Sequence, residues 1–311
     1  MTKADQWDPS LENIMDACPD AIWEELVWAI GSVPLMAGES SQLPTLWSSN
    51  YHLQARHSMR IQCQKWSEMA DPESAILGKK PIRLGKRFEQ LVNCWFETSH
   101  EYTVLAKNIV VQGQKRTLGE MDLILQDNET SEVTHLELAC KFYLQASNSR
   151  AWSNWIGMDP SDRLDLKLSK LSTQLNLDQT PEAQAILKSE GIQVNAHAAW
   201  IKGWFFVHFR EARKARLPYH SHHNVSTGWW CTQSEWHTIW QPQVSWIIIP
   251  AHHWLRTRHD PIEANMVMTL DDSLNALKKW KHIMVAQVEM RGGLWHEIIR
   301  GAIIRDGWPS A

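Results

Sequence analysis

Residues 119–144 read GEMDLILQDNETSEVTHLELACKFYL, and the rest of the chain is organised around this stretch. Apolar residues alternate with a period of two on either side of a polar turn, which predicts two β-strands joined as a hairpin. Glu120 and Asp122 share one face of the first strand. In the second strand an apolar face lies opposite a face made by His135, Glu137, Ala139, Lys141 and Tyr143. Charges in mid-strand are costly unless they pair, bind a cation or face a cleft, so the functional hypothesis begins here.

The composition bounds the class of protein. The 311 residues are 43% hydrophobic and 21% charged, which is typical of a globular protein with a sizeable core. Five scattered cysteines without a C-x-x-C pair favour reduced thiols and argue against a zinc ribbon. No secretory signal and no apolar run of ~20 residues is visible, so we expect a cytoplasmic protein without membrane association. Because the net charge is −4, contact with nucleic acid requires a local basic patch or metal ions.

A helix is predicted upstream of the hairpin, at residues 85–99. Its apolar residues recur at helical spacing, and Glu89 lies at the edge of this stripe, along the core boundary. A strand is predicted at 102–111, between this helix and the hairpin. Downstream of the hairpin we expect a loop at 145–162, a helix at 163–177, a short helix from Pro181 and a core strand at 197–209.

The flanking regions are predicted with less detail. Residues 21–30 and 51–69 indicate helices, and the C-terminal part favours strands at 229–240 and 244–250, a helix at 271–287 and a final strand. The predicted regions are a helical N-terminal region (1–80) packing on the core, a core (81–212) and a C-terminal α/β extension (213–311). No low-complexity linker separates them, so these boundaries are soft.

Residues 85–209, under half of the chain, resemble the core of the PD-(D/E)XK nuclease superfamily. Residues 119–125, GEMDLIL, look like the G-E-x-D-L motif of the Holliday-junction-resolvase-like branch. The whole chain is also similar to a bacterial protein family of uncharacterised function assigned to that superfamily. The resemblance implies an α/β fold with a restriction-endonuclease-like core, ordered α-β-β-β-α-β, in which a mixed sheet is flanked by helices.

The resemblance further implies a Mg²⁺-dependent nuclease acting on DNA, with Mn²⁺ as an alternative ion. Hydrolysis of a phosphodiester needs a hard cation, and Mg²⁺ takes carboxylate oxygens as ligands. Asp122 and Glu137 would then be primary metal ligands, and Glu89 either a third ligand or a group that supports the ligands from outside. Lys141 would orient or deprotonate the attacking water or steady the phosphate, and Glu120 would be an accessory carboxylate. No small-molecule cofactor is expected.

One residue departs from the superfamily pattern. The acid normally stands two residues before the lysine, where this chain has Ala139, and Glu137 stands four residues before Lys141. At ~3.3 Å per residue the backbone separation is about 13 Å instead of about 7 Å, although long side chains or a β-bulge can close this gap. The alternatives are a catalytically inactive nuclease-fold module that binds nucleic acid or protein, and a structural α/β domain in which Lys141 pairs with Glu137.

Weaker candidates lie after the hairpin. Lys167, Lys170 and Gln174 share a face of the predicted helix, where similar proteins place phosphate contacts; a solvated helix face is the favoured alternative. Arg150, Trp152 and Trp155 would clamp unpaired bases by stacking, unless the tryptophans plug the core edge.

Overall fold

The stretch at residues 119–144 forms the antiparallel hairpin that its period of two predicts. The structure is a computed structural model and describes residues 14, 21–48, 50–66, 71–78, 83–211, 214–256, 266–291 and 294–310. Its helices are α1 (Ala21–Gly31), α2 (Tyr51–Trp66), α3 (Pro72–Leu77), α4 (Leu84–Thr98), α5 (Leu164–Gln174), α6 (Pro181–Ser189), α7 (Gln233–Ile239) and α8 (Leu270–Lys279). Its strands are β1 (Tyr102–Gln112), β2 (Thr117–Asp127), β3 (Val133–Gln145), β4 (Trp155–Gly157), β5 (Ala196–His208), β6 (Thr227–Thr232), β7 (Ser245–Ile249), β8 (His282–Arg291) and β9 (Leu294–Ile304).

One mixed sheet connects all nine of these strands. Its order is β1-β2-β3-β5-β6-β9-β8-β7, and β4 pairs with β3 off this path. The first three strands are antiparallel, β3, β5, β6 and β9 are parallel neighbours, and β8 and β7 return antiparallel. The chain is therefore a mixed α/β protein with eight helices in the part of the chain that the structure describes, which confirms the predicted class.

Helix α4 covers one face of the hairpin. Phe88, Leu91 and Trp95 are fully buried, as the helical stripe predicts, and belong to one hydrophobic cluster with Leu123 and Leu136. Burial of each of these large apolar side chains stabilises the folded protein by about 1.5–3 kcal/mol. This packing fixes α4, and therefore the neighbouring Glu89, against β2 and β3.

Helix α5 covers the opposite face. Leu164, Leu168 and Leu171 pack in a second hydrophobic cluster with Ala139 and Ile201. Because Ala139, Glu137 and Lys141 share one face of β3, this packing places α5 over the strand face that carries the charged residues.

The N-terminal region adds backbone pairing to its helices. Leu35 N donates to the Ile201 carbonyl at 2.8 Å, and Trp47 N donates to the Ala199 carbonyl at 2.9 Å. These bonds cover the part of β5 that precedes its pairing with β6, which begins at Phe205. Among the described residues, no helix combines the length and the apolar character that crossing a membrane requires.

Two of the predicted C-terminal elements are wrong. Residues 229–240 are not one strand, because β6 ends at Thr232 and α7 follows. Thr232 accepts from the Glu235 N–H while the Glu235 side chain accepts from the Thr232 N–H, and this capping box starts the helix. Residues 271–287 are not one helix either, because α8 ends at Lys279 and the chain continues as β8, paired with β9. The pairing of β8 with β9 outweighs the local helical pattern in this segment.

The predicted region boundaries near residues 80 and 212 both fall on residues outside the described ranges. On either side of residue 212 the sheet is continuous through the parallel pair of β5 and β6. The C-terminal strands therefore extend the core sheet.

Candidate active site

The hairpin register brings two carboxylates together. The pairing of β2 with β3 ends at Leu123 and Leu136, and Asp122 and Glu137 are the next residues on the two strands beyond it. Asp122 Oδ2 accepts a hydrogen bond from the Leu138 N–H at 2.8 Å. This bond ties the Asp122 side chain to the backbone of β3, beside Glu137.

Glu137 is fully buried and only half satisfied. Its Oε1 lies 3.0 Å from His135 Nε2. Its Oε2 is buried and has no hydrogen-bond partner among the described residues. A buried carboxylate oxygen without a partner is costly, so this atom is suited to bind a cation.

The charges of two other acids, Glu137 and Glu89, act on Asp122. Burial, then the charge of Glu137, and then that of Glu89 raise the pKa of Asp122 to about 7, against the hydrogen bond from Leu138 and the charge of Lys167. Carboxylates raise one another's pKa in this way when they share a site. Asp122 therefore holds its proton more tightly than an ordinary aspartate until a cation or lysine compensates.

Glu89 reaches the cluster from α4. Its Oε2 accepts from Lys86 Nζ at 2.8 Å, and the Lys86 ammonium also donates to Asn108 Oδ1 at 2.6 Å. Asn108 has a positive φ of 52° and lies on β1 between the residues that pair with Leu123 and Met121, opposite Asp122. Asparagine tolerates this left-handed conformation better than most residues. The Glu89 side chain is 24% exposed.

Lys141 does not pair with Glu137. Its Nζ donates to Asp162 Oδ2 at 2.6 Å, and the Tyr143 hydroxyl donates to the other oxygen of that carboxylate at 3.3 Å. The Lys141–Glu137 ion pair that the structural alternative predicts is therefore wrong. Lys141 points toward the loop that precedes α5.

Lys167 lies closer to the acids than the solvated-face alternative predicts. Burial, followed by the charge of Lys141, lowers the pKa of Lys167, while the charges of Asp122 and Glu137 act in the opposite direction. The side chain is half-buried, whereas Lys170 one turn further is exposed. Helix α5 therefore delivers a second lysine to the carboxylate cluster.

Two of the predicted accessory residues, Glu120 and Gln174, are partly buried. Glu120 is half-buried on β2 and pairs with Val110 of β1. Gln174, at the end of α5, has a buried Oε1 without a hydrogen-bond partner in the described part of the chain.

The three residues predicted to clamp bases have different environments. Trp155 is fully buried and packs against Phe205 with ring centroids 4.8 Å apart, so its ring is not available for stacking on a base. The prediction that Trp155 stacks on bases is therefore wrong, because this residue packs in the core. Trp152 is half-buried and its indole Nε1 donates to the Tyr219 carbonyl at 2.8 Å. The exposed Arg150 lies over the Tyr219 ring, 4.5 Å from its centroid.

A histidine–aspartate–histidine group adjoins the acids. His197 Nε2 lies 3.0 Å from both oxygens of Asp178, and His135 Nδ1 lies 3.7 Å from Asp178 Oδ1. Burial opposes protonation of His135, but its contacts with Asp178 and Glu137 outweigh burial and raise its pKa to about 9.

Sequence reasoning places His135 beside Glu137 but misses the rest of this group. His135 and His197 are partners in the parallel register of β3 and β5, and Asp178 comes from the turn after α5. Parallel strands are joined through long crossovers, so no short motif announces such a group.

A family model described as a domain of unknown function, DUF1853, matches residues 24–304. No curated protein and no solved structure matches the chain.

Proposed function

We propose that this chain, which belongs to the DUF1853 family, is a metal-dependent phosphodiesterase that cleaves DNA. The observation that carries the proposal is the carboxylate cluster of Asp122, Glu137 and Glu89, in which burial and mutual repulsion raise the pKa of Asp122 to about 7. A buried acid with a strongly raised pKa beside other charged groups is typical of functional sites.

The order of elements supports a restriction-endonuclease-like core. Helix α4, the antiparallel strands β1, β2 and β3, helix α5 and strand β5 come in the α-β-β-β-α-β order of the PD-(D/E)XK nucleases, with the short strand β4 inserted before α5 and helix α6 inserted before β5. The acids occupy corresponding elements, with Glu89 on the first helix, Asp122 on the second strand and Glu137 on the third.

The donor set fits a hard dication. Asp122, Glu137 and Glu89 would hold Mg²⁺ or Mn²⁺ through carboxylate oxygens, and the buried Glu137 Oε2, which lacks a hydrogen-bond partner among the described residues, is the strongest sign of the fit. Bound there, the ion would neutralise the scissile phosphate and lower the pKa of a water molecule.

The lysines supply the remaining chemistry. Lys167 lies within electrostatic reach of Asp122 and Glu137, and its lowered pKa eases the release and uptake of a proton. We assign to it the orientation of the attacking water. Lys141, held by Asp162, would contact a phosphate oxygen from the loop side.

DNA would approach on the face that α5 borders. Lys170 on α5 and Arg150 on the loop after β3 are both exposed and can contact phosphates, while the net charge of −4 restricts the attraction to such local basic residues and the metal centre.

The deciding experiment offers linear, nicked, branched and single-stranded DNA to the purified protein with Mg²⁺ or Mn²⁺. We expect metal-dependent cleavage of at least one substrate, and loss of cleavage in Asp122→Asn and Glu137→Gln. Glu129→Gln, which changes an exposed acid on the hairpin turn, is the matched control and should cleave like the wild type. An absence of cleavage on all four substrates, with Asp122→Asn indistinguishable from the wild type, contradicts the proposal.

A binding module on an inactive core is the second candidate, and two observations favour it. Ala139 occupies the usual acid position, and Lys141 is paired with Asp162. This candidate predicts metal-independent retention of DNA in a gel-shift assay, unchanged by Asp122→Asn, without cleavage.

A further inference from the structure

We propose that His135, Asp178 and His197 form a second metal site, for a transition-metal dication of which zinc is the best match. The site is distinct from the carboxylate cluster and does not depend on the proposed nuclease activity. It adjoins that cluster through Glu137, which contacts His135.

The fold converges three ligand atoms on one point. His135 on β3 and His197 on β5 are partners in the parallel register, so their side chains leave the same face of the sheet. Asp178, from the turn at Leu177–Gln179, approaches from the end of α5. One ligand atom from each residue lies within 4.8 Å of the other two.

Two of the three ligand separations are close to those around a tetrahedral ion. With zinc–nitrogen and zinc–oxygen bonds of about 2.0–2.1 Å, neighbouring ligand atoms are about 3.3–3.4 Å apart. The observed separations from Asp178 Oδ1 are 3.0 Å to His197 Nε2 and 3.7 Å to His135 Nδ1, on either side of this value. Small side-chain rotations bring both into range.

The orientation of His135 favours metal binding. Its Nε2 is engaged by Glu137, which leaves Nδ1 facing Asp178. This Nδ1 is buried in a side chain of 0% exposure and has no hydrogen-bond partner among the described residues. Metal-binding histidines characteristically donate their other ring N–H to a carboxylate, as His135 does when Nε2 carries the proton.

Charge and access agree with this assignment. Asp178 and Glu137 place two carboxylates around His135, and a dication would neutralise them. Two imidazoles favour zinc or a similar transition metal over Mg²⁺, which prefers oxygen ligands. His197, 27% exposed, opens the site to solvent, so a water molecule can complete the coordination.

The test measures metal binding directly. Chelator-treated, dialysed protein is titrated with Zn²⁺ by calorimetry in excess Mg²⁺, and with Co²⁺ while its visible d–d bands are recorded. We expect one equivalent of Zn²⁺ and a tetrahedral Co²⁺ spectrum. His197→Gln and Asp178→Asn should each weaken binding by at least about tenfold.

Two controls separate this site from its surroundings. His237→Gln removes an exposed histidine elsewhere and should bind zinc like the wild type. Asp122→Asn disables the proposed nuclease and should also retain zinc, so the two proposals can fail independently. Circular dichroism in chelator verifies that each variant is folded. No zinc binding by the wild type, or equal binding after His197→Gln and Asp178→Asn, overturns the site and leaves a hydrogen-bonded triad.

Discussion

His135 Nε2 lies 3.0 Å from Glu137 Oε1, and both side chains are completely buried on the same face of β3. This contact joins the two candidate metal sites, because Asp122 is hydrogen-bonded to Leu138, the neighbour of Glu137 on β3, and His135 also faces Asp178. Any change at one residue of the pair is therefore felt in both sites.

The first prediction concerns the stability of this pair. His135→Leu should lower the free energy of unfolding by about 3–5 kcal/mol, because it leaves the Glu137 carboxylate buried without its partner. The double variant His135→Leu/Glu137→Leu should lose less than the two single changes added together. Urea unfolding followed by circular dichroism measures all three values. Additive losses would show that the pair contributes no coupling.

The second prediction concerns pH. The pKa of Asp122 is about 7 in the folded protein and 3.8 ordinarily, so folding disfavours its ionised form. The stability linked to this group is fully present below pH ~4 and is lost as the pH rises through about 7. In EDTA at pH 8, the free energy of unfolding of Asp122→Asn should therefore be about 1–3 kcal/mol higher than that of the wild type. This range is reduced to allow for solvent screening of the partly solvated side chain.

At pH 4 the advantage of Asp122→Asn should vanish, because the wild-type carboxyl is then protonated and neutral. The asparagine oxygen can still accept from the Leu138 N–H. Glu129→Gln, on the exposed turn, serves as the control and should differ little from the wild type at both pH values. Equal differences between Asp122→Asn and the wild type at the two pH values would refute the prediction.

The third prediction separates the two lysines. Lys167→Gln should reduce the cleavage rate by about 10²–10⁴-fold, the usual contribution of a positioned proton-transfer group. Lys141→Gln should reduce it less, because its ammonium is already engaged by Asp162. Initial rates on the preferred DNA substrate measure both.

Lys170→Gln is the matched control, on the same helix but exposed, and should cleave nearly as well as the wild type. A larger loss in Lys141→Gln than in Lys167→Gln would return the central role to the strand lysine.

The fourth prediction concerns the departure at Ala139. Ala139 is 6% exposed and packs with Leu168 and Ile201, so Ala139→Asp would bury a carboxylate among apolar side chains. We expect a loss of about 2–4 kcal/mol in the free energy of unfolding and no gain in cleavage. Ala139→Val tests the effect of size alone and should lower the free energy of unfolding by no more than about 1–3 kcal/mol. Faster cleavage by Ala139→Asp would place the metal ligands two residues nearer Lys141.

The sequence alone determined the hairpin and the faces of its residues. Side chains alternate strictly along a strand, so Asp122 and Glu137 could be assigned to one face from spacing alone. The apolar stripe of α4 likewise placed Glu89 at its edge, because a helix repeats every 3.6 residues. Both predictions rest on local periodicities. The predicted boundaries of the hairpin and of the helix lie within one or two residues of those in the structure.

Only the tertiary structure decided which charged groups meet. Lys167 joins the acids because α5 packs over the face of β3, and His135 meets His197 because two strands separated by a long crossover lie side by side. Lys141 pairs with Asp162 for the same reason. Its partner comes from the loop before α5, and the spacing of residues along β3 does not predict it. A one-dimensional pattern sets the direction of a side chain, whereas its partner depends on how distant segments pack.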